Sequence, residues 1–480
     1  MRTLIAVLPI VALAGRLPAQ SAASLAPNVR QFVSVDAPRV ALTHVRLIDG
    51  TGAPVANDQT VVIVNRKIQA VGRTGSVPIP AGVRVLDYSG HTVMPGFVGM
   101  HDHIVYETSN RIVNLAFTAP RLYLATGVTT IRTTGALEPY VEISMKHEIE
   151  GGQDPGPRMH LTGPHITGGE PFQLGNPGNK VLWMRHVTTP QQARRIVAYW
   201  GEEGATWIKV YTDITRRELA AVIDEAHKHG MKVTGHLCSV TFREAVALGI
   251  DHLEHGLLVN TDYHPRKKPD LCPPDRTAGV ADLDLTSEAV KATFRDMVAR
   301  HVGMTSNLIG TALAAGRLQP LEPRVLEAMD PATLAESRKA LDEVLADTAT
   351  ARTREALLKQ RMGYEVEFVK AGGLLVAGSD PNGFVLPGFG DNSEFELLVE
   401  AGFTPVQAVQ IMSANGAKVL GVLDSLGTVT PGKLADLIVV HGDPATTPGD
   451  IKRVTTVFKD GVGYDSAKLV ATVRGLVGVR

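Results

Sequence analysis

The sequence predicts an α/β protein, a (β/α)8 barrel carrying a small β-sandwich domain built from its two flanks, on three observations. From Met94 onward, apolar strand-like runs alternate with amphipathic helical stretches, and eight such units can be counted. Before Met94 and after about Leu426 that alternation gives way to short β-like runs broken by turn residues. The polar residues that stand out in the apolar runs fall at their carboxyl ends, where barrels of this kind gather reactive groups.

A chain of 480 residues with 44% hydrophobic residues and a net charge of −1 can build one large core and a smaller domain. Neither sign of charge is in excess. Nucleic acid and anionic membrane surfaces are therefore not expected partners, and a small-molecule or peptide-like substrate is. A homo-oligomer is expected.

Taken in order, the chain opens with Met1, Arg2 and an apolar run over residues 4–14, too short to span a bilayer comfortably. Residues 1–20 read as a cleaved export signal, giving a periplasmic or secreted protein with no membrane attachment after cleavage, and residues 21–38 as a linker. Arg16 blurs the cleavage site between Ala19 and the Ser21-Ala22-Ala23 cluster. Residues 39–93 form the first part of the β-sandwich. Residues 94–425 form the barrel, with strands at 94–103, 128–133, 158–166, 207–212, 232–238, 252–256, 303–308 and 374–380. Helices such as 215–229, with Leu219, Val222, Ile223 and Ala226 on one face, separate them.

Two segments exceed a minimal barrel: a polar, proline-rich loop at 257–282 and a mostly helical insert at 319–348. Both follow strands, in places where lids are common. The last helix is expected over 404–420, and residues 426–480 complete the sandwich. Only two cysteines occur, Cys238 and Cys272. Cys272 falls in a long loop that could lie over the end of the strand before Cys238, so one bridge is conceivable, with two unpaired, buried thiols the favoured reading.

The first strand ends in His101-Asp102-His103. Alternate residues of a strand share a face, so the two imidazoles project together while Asp102 points away, a geometry able to hold one divalent metal ion. Lys209 lies inside an apolar strand, where an ammonium is costly unless paired or modified; reaction with carbon dioxide would make it an anion able to bridge two metals. His236 and His255 end the fifth and sixth strands, and Asp380 ends the eighth. Near a metal Asp380 stays ionised and can accept a proton from water. Singly each residue has an ordinary reading as a loop-end polar group or, for Lys209, a salt-bridged lysine. The set does not.

These residues and their setting resemble the amidohydrolase superfamily, in its imidazolonepropionase-like and Xaa-Pro dipeptidase-like branch. Leu47-Ile48-Asp49-Gly50-Thr51-Gly52 is similar to the family's opening strand and turn, residues 95–103 to its first metal motif, 127–132 to its second strand and 432–440 to its closing β segment. The resemblance implies His101, His103, carbamylated Lys209 and Asp380 on a more buried metal, Lys209, His236 and His255 on a second, and zinc as the usual ion. Two departures bear on substrate choice. Thr133 and Thr134 stand where the branch often has an Asp after the arginine, and Gly168-Gly169-Glu170 where a histidine commonly follows two glycines. Both stretches are expected at the barrel mouth.

The implied chemistry is hydrolysis of an amide-type C–N bond, in a dipeptide or an N-acyl amino acid. Asp380 serves as general acid and base toward a metal-activated hydroxide. Tyr211 and His165 are candidate catalytic donors to the oxyanion, and each has an equal reading as a packing residue. The basic run Arg266-Lys267-Lys268 is a candidate clamp for a substrate carboxylate. Other readings of the same residues are a lactonase or cyclic-amide hydrolase, which a substrate screen separates, and a non-catalytic binding protein on a hydrolase fold, which has no need of such a ligand set.

Overall fold

The computed structural model describes residues 22–107, 112–168, 184–317 and 321–479. The expected export signal lies outside the described residues. The fold is α/β with mixed sheets.

The two flanks share one nine-stranded sheet. Leu437–His441 runs antiparallel to His91–Pro95, with Leu437 opposite Pro95, and Val454–Lys459 continues the sheet beside it. On the other side His91–Pro95 meets Arg39–Leu47, followed by Ala56–Val64 and Lys67–Arg73. The expected linker is a correction. Residues within 21–38 form the helix Pro27–Arg30 and the strand Val33–Val35, which pairs with Val462–Asp465 at the sheet edge. The cause is apolar burial: Leu25, Val29 and Phe32 pack with Leu124, Val457 and Leu469.

Between the flanks lie parallel strands in sequence order. Arg158–His160 pairs with Val128–Thr133, which pairs with Phe97–Asp102. One residue on, Thr162–Gly168 pairs with Trp207–Val210, then come Lys232–Gly235, His252–Leu253, Gly303–Ser306 and Leu375–Ala377. The last strand lies against the first: the Asp380 amide donates to the His101 carbonyl at 2.9 Å. A Cβ on Gly378 would come within 2.2 Å of the His101 backbone nitrogen, so only glycine permits that approach.

The helices between strands start where the sequence supplies caps. Thr215 and Glu218 form a capping box for Arg216–Lys228, and Thr241 and Glu244 form another for Phe242–Leu248. Leu219, Val222, Ile223 and Ala226 are buried, as their spacing predicts. The expected last helix is interrupted by a π-helical turn at Ile411–Asn415. There Asn415 donates to the Leu375 carbonyl at 2.8 Å, tying the helix to the last strand.

Several strands are shorter than expected. The sixth is His252–Leu253 and the eighth Leu375–Ala377, because the backbone leaves the ladder where the site begins. His255 and Asp380 both adopt the left-handed region, at φ 60° and 48°. Strain of this sort in non-glycine residues persists where the surroundings hold it, and it turns these two side chains toward a common point.

Candidate metal centre

That point is the floor of a cavity of about 520 Å³, and His101, His103, His165, Lys209, Tyr211, His236, His255 and Asp380 all line it. The candidate metal ligands and the candidate donors Tyr211 and His165 therefore line one cavity, whereas Arg266, Lys267 and Lys268 do not. Donor atoms of His101, His103 and Asp380 lie within 4.8 Å of one another. His101 Nε2 stands 3.6 Å from Asp380 Oδ1, His103 Nε2 3.4 Å from the same oxygen, and His255 Nδ1 3.8 Å from Oδ2. The His236 ring is 4.4 Å from that of His255 and 4.5 Å from Tyr211, and His165 lies 5.4 Å from Tyr211. The alternation argument holds for Asp102, whose Oδ1 accepts from the Ser379 amide at 3.1 Å on the opposite side of the strand.

The electrostatics suit a cation. Burial depresses His101 to about 4 and takes His165, His236 and His255 well below the usual imidazole range, so the rings are neutral near pH 7. Burial likewise lowers the Lys209 ammonium to about 8, against the pull of Glu254. Burial works to raise Asp380, but the carboxyl is held well below its ordinary value by the surrounding imidazoles of His101, His103 and His255, through their charge in acid and through the hydrogen bond from His103. Asn307 Nδ2 donates to Asp380 Oδ2 at 3.2 Å, fixing its orientation.

The sequence reading missed Glu254. It is fully buried, accepts from His101 Nδ1 at 2.7 Å and from Arg132 at 2.5 Å, and also takes the Thr234 hydroxyl. The charges of Arg132 and Lys209, with the hydrogen bond from His101, overcome burial and keep its carboxyl well below the ordinary range. Glu254 thus sets the tautomer of His101 and leaves Nε2 to face Asp380. No apolar run flags it in the sequence, since Glu254 lies in the polar stretch Asp251-His252-Leu253-Glu254-His255.

Four expectations are corrected. Arg266 is 73% exposed and paired with Asp275, and Lys267 donates to the Ser239 carbonyl at 2.7 Å. None of the described cavity-lining residues comes from 257–282; the charge in that loop that reaches Tyr211 and His236 is Arg276. The insert at 319–348 supplies a wall instead, through Ser337, Ala340, Leu341 and Val344. Thr133 and Thr134 are fully buried and do not line the cavity, with Thr133 accepting from the Thr162 amide at 3.0 Å. Gly169 and Glu170 lie outside the described residues. Cys238 and Cys272 are bridged, with Cα atoms 5.0 Å apart, because the loop folds back over the end of the fifth strand. It is held there by Thr261 on the Cys238 carbonyl at 2.8 Å and by Asp270 on Arg216 at 2.9 Å.

Residues 92–463 match the Amidohydrolase family, so the chain belongs to that family, whose members have a (β/α)8 barrel plus a β domain and are generally metal-dependent. It is a hydrolase acting on carbon–nitrogen bonds. Solved structures share its fold. A Xaa-Pro dipeptidase with bound methionine is 21% identical, with 89% of this chain and 100% of that one covered at a TM-score of 0.67. A putative prolidase from Bifidobacterium longum is 24% identical, covering 91% and 98% at 0.65. A bottromycin amidohydrolase is 21% identical, covering 93% of each chain at 0.70. No curated protein matched by sequence.

Proposed function

We propose that the protein is an exported, binuclear metal-dependent amidohydrolase that cleaves an amide C–N bond in a dipeptide or an N-acyl amino acid. The observation that carries this reading is the convergence of His101, His103 and Asp380 donor atoms within 4.8 Å. Among the described residues His103 Nδ1, His236 Nε2 and His255 Nδ1 are buried without a hydrogen-bond partner. Buried polar nitrogens of this kind are costly unless a ligand satisfies them, and neutral imidazoles with a carboxylate are a divalent-metal donor set. His101, His103 and Asp380 would hold one ion and His236 and His255 a second, with Lys209 as a carbamate between them and zinc as the ion. Such ions supply Lewis-acid polarisation of the scissile carbonyl and acidify a water molecule.

The chain's own residues do the rest. Asp380 Oδ1, still ionised, takes the proton of the attacking water; as the C–N bond breaks it returns that proton to the leaving nitrogen. Tyr211, kept protonated by burial and the charge of Asp380, can donate to the carbonyl oxygen as it gains charge. His165 faces the same space from the neighbouring strand. Neighbours named as a Xaa-Pro dipeptidase and a prolidase support a dipeptide-like substrate.

Closure of the parallel strands into one (β/α)8 barrel belongs to the same reading. It is supported by the single residue separating Arg158–His160 from Thr162–Gly168 and by the Asp380-to-His101 backbone bond. The Cys238–Cys272 bridge supports export to an oxidising compartment. The test is elemental analysis of the purified protein with carbon-13 spectroscopy after equilibration with labelled bicarbonate. Two ions per chain and a carbamate resonance abolished in Lys209→Ala are expected. Metal bound with no such resonance would remove the bridge, and a lactone turned over in preference to every amide would favour the lactonase reading.

A further inference from the structure

The cavity has two unlike halves. Beside the donor set, and with Glu107 and Asn382 among the other lining residues, the cavity is lined by Leu137, Leu313, Phe384 and one face of the helix Pro331–Ala346. That face is Ser337, Ala340, Leu341 and Val344, spaced three and four residues apart, so that four successive positions of one helical stripe look onto the cavity. None of the cavity-lining residues from this helix is charged. The charged Arg338, Lys339, Asp342 and Glu343 fall between them.

This wall is fixed rather than loosely hung. Asp330 caps the helix, accepting from the Thr333 amide at 2.8 Å, and its own amide donates to the Val477 carbonyl at 2.9 Å. The C-terminal segment returns the contact, with the Val477 and Leu476 amides donating to the Ala328 carbonyl at 2.9 and 3.0 Å. At the far end Arg354 donates to the Val344 carbonyl at 2.7 Å. A preformed apolar wall beside a polar reaction centre binds an apolar group at little cost in ordering.

We propose that this helix face is the specificity wall of the enzyme and that the substrate carries a bulky, uncharged apolar group, aliphatic or aryl, seated against Ala340, Leu341 and Val344. The inference rests on the amidohydrolase reading for the chemistry, but the wall is assayed by binding alone. Each methylene buried there strengthens binding by about fourfold. The effect ends when the wall is covered.

The experiment titrates the metal-loaded protein by calorimetry with the non-hydrolysable ketomethylene analogues (–CO–CH2– for –CO–NH–) of acetyl-, butanoyl-, hexanoyl- and octanoylglycine, called below by their parent amides, and assays hydrolysis of the amides themselves alongside. In the parent, Kd is expected to fall by about fourfold per methylene until it levels off. Ala340→Trp fills the space, so it should flatten the series while acetylglycine binds within about twofold of the parent; Leu341→Ala, a smaller change that retains the fold, should lower the gain per methylene. A flat series in the parent, or a parental slope kept in both variants, overturns the proposal. Binding that follows the predicted series with no hydrolysis of any amide would leave the wall standing and overturn the proposed reaction instead.

Discussion

Asp380 has two tasks that can be separated, since it faces the imidazoles of His101 and His103 with one oxygen and accepts from Asn307 with the other. Asp380→Asn keeps a coordinating oxygen and loses the proton acceptor. Turnover should fall by about 10²- to 10⁴-fold with metal partly retained, as read by kcat beside metal content. Turnover within a few-fold of the parent would place the base elsewhere. Glu254 acts one step further out, holding His101 Nδ1 and neutralising Arg132. Glu254→Gln should weaken metal binding by about 10- to 100-fold in a metal-buffered titration. It should also lower stability, because it leaves the Arg132 guanidinium buried without its counter-charge.

At the scale of elements, the loop at 257–282 and the helix Pro331–Ala346 exchange the roles that length and charge suggested for them. Arg266 and Lys267 are spent on Asp275 and on a backbone carbonyl, far from substrate duties. Replacing Arg266, Lys267 and Lys268 together by neutral residues is expected to change KM by less than about twofold for anionic and neutral substrates alike, at low and moderate salt. A salt-dependent rise in KM for the anionic substrate alone would restore the clamp. The loop's own staple is the Cys238–Cys272 bridge, which closes a separation of 34 residues. Replacing both cysteines by serine should cost up to about 4 kcal/mol. Limited proteolysis should then cut first within 257–282, and an uncut loop with an unchanged melting midpoint would show that the hydrogen bonds to Arg216 and Thr261 suffice.

For the whole molecule, stability should depend on pH through carboxyls buried away from the site. Burial lifts Glu142 to about 8 from an ordinary value of 4.5. Its carboxyl is fully buried, and the nearby Thr133 hydroxyl offsets that burial only in part. Folding then favours the protonated form: between pH 4.5 and about 8 the unfolded chain holds fewer protons at this position than the folded one. Stability from this group is therefore full below pH 4.5 and declines as pH rises through that window. Glu142→Gln, which carries no titrating proton, should reduce the fall in melting midpoint between pH 5 and pH 8 by about 1 to 3 °C. An identical pH profile in parent and variant would mean that the unfolded state shares the shift.

Much of this protein follows from local pattern. The alternation of His101, Asp102 and His103, the ammonium of Lys209 in an apolar run, and the caps at Thr215 and Thr241 all act within one element, where periods of 2 and 3.6 state which face a side chain takes. Those patterns sufficed for the alternation of strands and helices and for picking out the side chains that line the cavity floor, but not for the loop at 257–282. They do not reach across elements. Glu254 meets His101 from 153 positions away, and its role exists only because the first and sixth strand ends come together. Whether Cys238 and Cys272 pair, and whether a loop or a helix walls the cavity, depends on how inserts pack over strand ends. Periodicity is silent there, because packing is decided by the shapes of two surfaces and not by the pattern of either one.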